Sequence, residues 1–186
     1  MHLYRVFDWD RSSLGRGDGG PLFVARRAQG AGRHDNPSQY GAWYCARQRV
    51  SAVAESLQRF RGQTLEDGDF VRSDGRIKAL VSLEIDDDVR LVDLDDPEEL
   101  VRRRLRPSHV ATLRRDGTQP IASAIFTDGA CGLSWWSTID ANWTNVTLFH
   151  ERALPLARVA GPPLPLSTRE DDVRAAAVRL SITLEQ

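Results

Sequence analysis

The stretch Gly30–Phe60, GAGRHDNPSQYGAWYCARQRVSAVAESLQRF, carries three kinds of local signal in succession. Gly30 to Pro37 is dense in turn formers, with Asp35-Asn36-Pro37 as its centre. Ala42 to Ala46, AWYCA, is a short apolar run rich in aromatics and reads as a buried strand. From Arg47 the spacing changes: Val50, Val53, Ala54, Leu57 and Phe60 recur at helical intervals, so a helix is expected up to the stop at Gly62. Glu55 points away from that stripe and is free to face water or a cleft. A strand feeding straight into a helix, inside a chain whose other strands and helices follow no regular alternation, points to an α+β fold and not to a βαβ series.

Outward from this stretch the same reading continues. Leu3–Trp9 alternates as a first strand, Arg11–Pro21 is a glycine-rich loop, and Leu22–Ala28 is short enough to be strand or helix. Ile77, Ala79, Val81, Leu83 and Ile85 have the two-residue period of a half-buried strand, followed by another at Arg90–Leu94. Asp96-Pro97-Glu98-Glu99 supplies a cap, a first-turn proline and early acids, predicting a helix to about Arg106 that stops before Pro107. Gln119–Phe126 reads as a short helix closed by Gly129. Leu133–Ser137, Asn145–Phe149 and Leu154–Val159 read as strands. Ser167 and Glu170 fit a capping box ahead of Val173, Ala176, Ala177 and Leu180, predicting a C-terminal helix over 167–184. The expectation is one domain over 1–186: a mixed, mostly antiparallel β core with flanking helices.

Composition narrows the function classes. The 186 residues are 41% hydrophobic and 27% charged, as expected of a globular chain that buries its own core. A net charge of -1 argues against a broad phosphate-gripping surface, so direct nucleic-acid binding is not expected. No apolar run approaches the ~18 residues needed to span a bilayer, and the start lacks a signal-peptide pattern, so a cytoplasmic protein with no membrane association is expected. Cys45 and Cys131 are far apart, and His2, His34, His109 and His150 are scattered without ligand spacing, so neither a disulfide nor a metal is expected.

Two motif matches are set aside on context. Gly15, Gly17 and Gly20 form a GxGxxG, but Pro21 follows at once and no helix opens there, so a flexible loop is the better reading. Ser137 lies in SWWST, not in a nucleophile elbow. Taken singly, Glu55 reads as solvated, Arg5 and Arg33 as surface charges, and Trp43 and Tyr44 as core. Their order along the chain makes the case: strand arginine, glycine-flanked arginine, strand tyrosine, helix glutamate, late serine.

That order resembles the RES domain, a family named for an arginine, a glutamate and a serine. Leu3-Tyr4-Arg5-Val6 resembles its opening YR strand, Gly32-Arg33 with Asn36-Pro37 its GRWNP segment, and Trp43-Tyr44-Cys45-Ala46 its YLA strand. Ala54-Glu55 matches its AxxE helix, Leu91–Leu94 its LDL strand, Gln119–Ala124 its TQ-x-IA helix, Gly132–Ser137 its G-I-x-Y-P-S strand, and Asn145–Phe149 its N-x-V-L-F strand. The sequence departs at His34-Asp35 in place of a tryptophan, at Cys45 in place of leucine, and at Trp136 in place of proline.

The resemblance implies an ADP-ribosyltransferase-like fold and an enzyme that cleaves NAD as substrate, with no further cofactor, passing ADP-ribose to water, phosphate or a macromolecule. It implies a toxin restrained by a helix-turn-helix antitoxin; self-assembly into a homo-oligomer is left open. In this reading Arg5, Arg33 and Tyr44 bind NAD, the arginines holding its pyrophosphate and Tyr44 stacking on nicotinamide. Glu55 and Ser137 are the catalytic pair: Glu55 faces the oxocarbenium-like ribose, and Ser137 hydrogen-bonds the ribose or the amide. The alternative is a nucleotide- or antitoxin-binding module with little catalysis.

Overall fold

The computed structural model describes residues 1–185. Along the chain run β1 (His2–Trp9), β2 (Ala42–Ala46), α1 (Arg49–Leu57), β3 (Thr64–Leu65), β4 (Ile77–Ile85), β5 (Leu91–Asp93), α2 (Pro97–Arg102), α3 (Pro107–Val110) and α4 (Arg115–Thr127). They are followed by β6 (Gly132–Trp136), β7 (Thr144–Phe149), α5 (His150–Ala153), β8 (Ala157–Val159), β9 (Leu164–Pro165), α6 (Asp171–Leu180) and β10 (Thr183–Leu184). The mixed, mostly antiparallel α+β architecture expected from sequence is present. Contacts group the chain into two compact units, one of Met1, Val24–Cys45 and Ile85–Ala157, the other of His2–Phe23, Ala46–Glu84 and Arg158–Gln186.

In the first unit the strand order is β5-β6-β7-β2, with β5 parallel and β7 antiparallel to β6. Gly132 is required there, because a Cβ would come within 2.4 Å of the Thr147 carbonyl. The first β2 residue is fixed by Gln29, whose amide both donates to and accepts from the Ala42 backbone. Alternation along β2 sends Trp43 and Cys45 to one face, fully or nearly buried, and turns Tyr44 to the other. Tyr40, Phe126 and Phe149 make a mutual aromatic cluster at 4.3–5.2 Å between centroids, each pair contributing about 0.5–1.5 kcal/mol beyond burial. Around it pack Leu94, Ile125, Leu133 and Trp135.

In the second unit β1 pairs antiparallel with β4 over its whole length, from His2 opposite Glu84 to Trp9 opposite Ile77. β9 adds to β4, and Tyr4 pairs with Ala46. α1 packs against α6 and β1. Ala54, Ala176 and Ala177 are buried there, small enough to let the two helices approach closely, while Val53, Leu57, Val173 and Leu180 fill the seam.

Several sequence expectations are corrected. α1 starts at Arg49 and buries Ser51 and Ala52, while Phe60 lies in a 3-10 turn and is half-buried. Leu22–Ala28 is neither strand nor α-helix; only Arg26–Ala28 winds, as a 3-10 turn. The Asp96 cap is made as expected, accepting from Glu98, but α2 ends at Arg102 and Arg104 turns left-handed (φ 56°), so 107–110 form a separate helix. α4 begins at Arg115, a turn before Pro120, and β8 covers only Ala157–Val159. The C-terminal helix is shorter than 167–184: Ser167 makes no cap to it, Ser181 closes it in the left-handed conformation (φ 55°), and residues 183–184 form a strand parallel to β3. No helix among the described residues is long and apolar enough to cross a membrane.

Candidate active site

In the first unit the turn Gly30–Pro37 is organised by one carboxylate. Asp35, 5% exposed, accepts the backbone N–H groups of Gly30 (2.8 Å) and Gly32 (2.6 Å) on Oδ2 and the Tyr44 hydroxyl (2.7 Å) on Oδ1. The Tyr44 oxygen in turn accepts the His34 N–H at 2.9 Å. The phenol is thus fully used by the turn. Burial, reinforced by the neighbouring Asp35 charge, pushes its pKa well above the usual tyrosine range. Only glycine fits at 32, since a Cβ would lie 2.5 Å from the Tyr44 oxygen and 2.6 Å from Asp35 Oδ1.

Helix α4 grips the same turn from its first residues. Gln119 Nε2 donates to the carbonyls of Gly30 (3.1 Å) and Gly32 (2.9 Å), Thr118 Oγ1 donates to the Arg33 carbonyl, and Asn36 Nδ2 donates to the Gln119 carbonyl at 3.0 Å. Tyr40 donates to the His34 carbonyl at 2.8 Å. The Arg33 backbone is therefore held on both sides.

The Arg33 side chain lies with its guanidinium 4.5 Å from the centroid of Trp135, a cation–π arrangement, and donates from one nitrogen to the carbonyls of Val110 (3.0 Å) and Thr112. Beside it His34 is 2% exposed, with Nδ1 2.8 Å from Thr147 Oγ1 and its ring edge-on to Trp135. Burial first and the Arg33 charge second lower its pKa to about 3, so this imidazole is neutral near pH 7. Ser137 follows directly on β6, two residues beyond Trp135; it is buried, its N–H donates to the Trp143 carbonyl at 2.8 Å and its hydroxyl accepts from the Ile139 N–H at 3.1 Å.

Arg5 and Glu55 belong to the second unit. Arg5, on β1 opposite Val81, donates to the carbonyls of Pro21 (2.7 Å) and Phe23 (2.9 Å), so its fork holds the end of the glycine-rich loop. Glu55, half-buried on α1, accepts from Gln58 Nε2 at 2.5 Å. Of the five residues singled out from sequence, Arg33 and Tyr44 are joined within one hydrogen-bonded network, and Trp135 of that network leads into Ser137.

Sequence reasoning missed the hub of this network. Asp35 stood out only as a turn former and as a departure from a motif, and Gln119 and Thr147 only as members of matched segments. A lone carboxylate between closely spaced glycines and a strand tyrosine was the one signal that pointed to it. A separate cleft of about 490 Å3 on the same unit, between Arg102–Leu105 and Pro120–Asp128, is lined by none of the five. Its Arg103 is already paired with Glu99 and Asp128.

Comparison with known proteins places the fold and the family. No curated protein matches the chain. Among solved structures, a chain from the crystal structure of the M. tuberculosis MbcT–MbcA toxin–antitoxin complex shares its fold, with a TM-score of 0.65 over 96% of this chain and 88% of that one at 18% identity. The family model for the RES domain matches residues 2–169, a span containing Arg5, Arg33, Tyr44, Glu55 and Ser137, and the chain belongs to the RES domain family.

Proposed function

We propose that the chain is an NAD-cleaving enzyme acting as the toxin of a toxin–antitoxin pair. The observation that carries this reading is the family match over residues 2–169, a span that includes Arg5, Arg33, Tyr44, Glu55 and Ser137. In the reaction the bond between ribose C1′ and the nicotinamide nitrogen breaks, and its electron pair leaves with nicotinamide. The oxygen of an acceptor, whether water, phosphate or a macromolecule, bonds to C1′ and loses its proton.

Chemistry assigns the roles. Glu55 stabilises the positive charge that develops on the ribose, the task a carboxylate performs in glycoside hydrolysis. Arg33 and Arg5 hold pyrophosphate oxygens, for which a planar fork suits better than an ammonium. Tyr44 offers its ring to nicotinamide; its hydroxyl is engaged by Asp35 and His34, so it acts by packing and not by proton transfer. Ser137 hydrogen-bonds the ribose or the amide. NAD is substrate and no other cofactor takes part.

The fold shared with a chain of a toxin–antitoxin complex supports the toxin role, and a helix-turn-helix antitoxin is the partner we propose, with action in the cytoplasm. Incubating the purified protein with NAD and following nicotinamide tests the enzyme. Release by wild type that falls about a hundredfold or more in Glu55→Ala is expected. Absence of release from wild type, or equal release from Glu55→Ala, would overturn the reading. Growth arrest on expression, relieved by Glu55→Ala, tests the toxin role separately.

A further inference from the structure

Four side chains of the first unit form a closed path around Arg33. Thr147 on β7 is fully buried, and its Oγ1 lies 2.8 Å from His34 Nδ1 and 3.4 Å from Trp135 Nε1. An indole N–H can only donate, so the threonine oxygen accepts from Trp135. We assign the hydroxyl hydrogen to the other ring, which makes His34 Nδ1 the unprotonated, accepting nitrogen of a neutral imidazole. Burial and the adjacent Arg33 charge favour that same neutral form. Trp135, held by this bond and by the edge of the His34 ring at 5.4 Å, presents its face to the Arg33 guanidinium at 4.5 Å. Because Arg33 and His34 are neighbours in sequence, the path from guanidinium to indole to hydroxyl to imidazole closes on itself.

The sequence makes this unusual within its own motif. Where the resembling family segment has a tryptophan after the arginine, this chain has His34-Asp35. The indole beneath the arginine is Trp135 of β6, and the imidazole occupies a dry space that a hydroxyl has to serve.

We propose that Thr147 and His34 are positioning residues for Arg33: they fix the indole plane on which the guanidinium rests, and so set where that guanidinium meets an anionic group of the substrate. The proposal rests on Arg33 as a ligand of the NAD pyrophosphate and adds the residues that aim it. Neither Thr147 nor His34 touches the reacting atoms; each acts through Trp135 and Arg33. Removing the hydroxyl while keeping the shape therefore loosens substrate binding and leaves the chemical step alone.

Two measurements on the full-length protein test this. In the first, the Arg33 side-chain Nε–H resonance, identified by its loss in Arg33→Lys, is followed by NMR. It is expected to move in Thr147→Val, which keeps the shape and loses the hydroxyl, and to stay in place in Thr147→Ser. His34 Nδ1 is expected to report as unprotonated at pH 7. In the second, NAD cleavage by Thr147→Val is expected to show KM raised about tenfold with kcat changed less than about twofold, and Thr147→Ser to restore KM. An unmoved Arg33 resonance in Thr147→Val, a protonated His34 Nδ1, or a loss confined to kcat would overturn the proposal. If wild type releases no nicotinamide, the NAD reading fails and the NMR measurement alone decides the positioning role, so the two failures are distinct.

Discussion

Two glycine-rich loops of this chain look alike in sequence and are built on opposite principles. Gly15–Gly20 in the second unit is exposed at Arg16–Asp18, buried at Gly19 and Gly20, and is held by its own backbone turns, by Asp10 and by Arg5. Gly30–Pro37 in the first unit is gathered around the buried Asp35 carboxylate, to which Tyr44 donates, while Gln119 and Thr118 donate to the carbonyls of Gly32 and Arg33. Glycine in the first loop lets the backbone turn and fold closely on itself, Gly19 at φ 76° and Gly20 against the Gly15 carbonyl; in the second it gives room for side chains to reach in. Glycine density alone therefore says little about where chemistry sits, whereas a buried polar hub marks a segment whose geometry is specified.

The largest test of this contrast is Asp35→Ala, which leaves two backbone N–H groups and a phenol without their acceptor. A loss of about 3 kcal/mol or more in denaturant unfolding is expected, a drop in Tm on the order of 10 °C. A loss below about 1 kcal/mol would mean the turn is held by α4 alone. Next comes pH. The folded pKa of His34 is lowered to about 3 from an unfolded value near 6.5, so its contribution to stability is present above pH 6.5 and is lost as pH falls towards 3. The groups around it are the Arg33 guanidinium, the Asp35 carboxylate and the Tyr44 phenol, and of these Arg33 opposes a second positive charge. Between pH 7 and 5 wild type is expected to lose about 2 kcal/mol more than His34→Asn, measured by urea unfolding at each pH.

Smaller effects separate the two kinds of glycine. Gly32→Ala is expected to cost at least about 1 kcal/mol, because its methyl group meets the Tyr44 oxygen. Gly15→Ala meets nothing within 4 Å and is expected to change stability by less than about 0.5 kcal/mol. Equal costs at the two positions would erase the contrast.

How far the sequence could be read follows from what each signal depends on. β2 and β4 have the limits their patterns predicted, because aromatic content and two-residue alternation are local properties. The order of Arg5, Arg33, Tyr44, Glu55 and Ser137 was legible as a resemblance to the RES domain, and the family itself is shown by the match over residues 2–169. The start of α4 was not legible: the helix was expected from Gln119, yet the preceding turn, from Arg115, also winds and is tied down by Thr118 on the Arg33 carbonyl, a contact 85 residues away. The C-terminal helix was overdrawn for the same reason, since Thr183 and Leu184 are drawn into a strand by residues 64–65. Asp35 as a hub was hidden because its partners come from three places in the chain, and nothing local distinguishes such a carboxylate from an ordinary turn former.

The parallel pairing of β10 with β3 has a consequence for the order in which the protein is completed during synthesis. The first unit is assembled from pieces that end at Ala157, while the second needs residues 158 onward, including the strand at 183–184 that returns to 64–65. On the ribosome, residues 2–23 and 46–84 must wait, with α1 lacking α6, until about a hundred further residues have emerged. The Glu55-bearing helix thus gains its final packing only once α6 has emerged, later than the turn that aims Arg33.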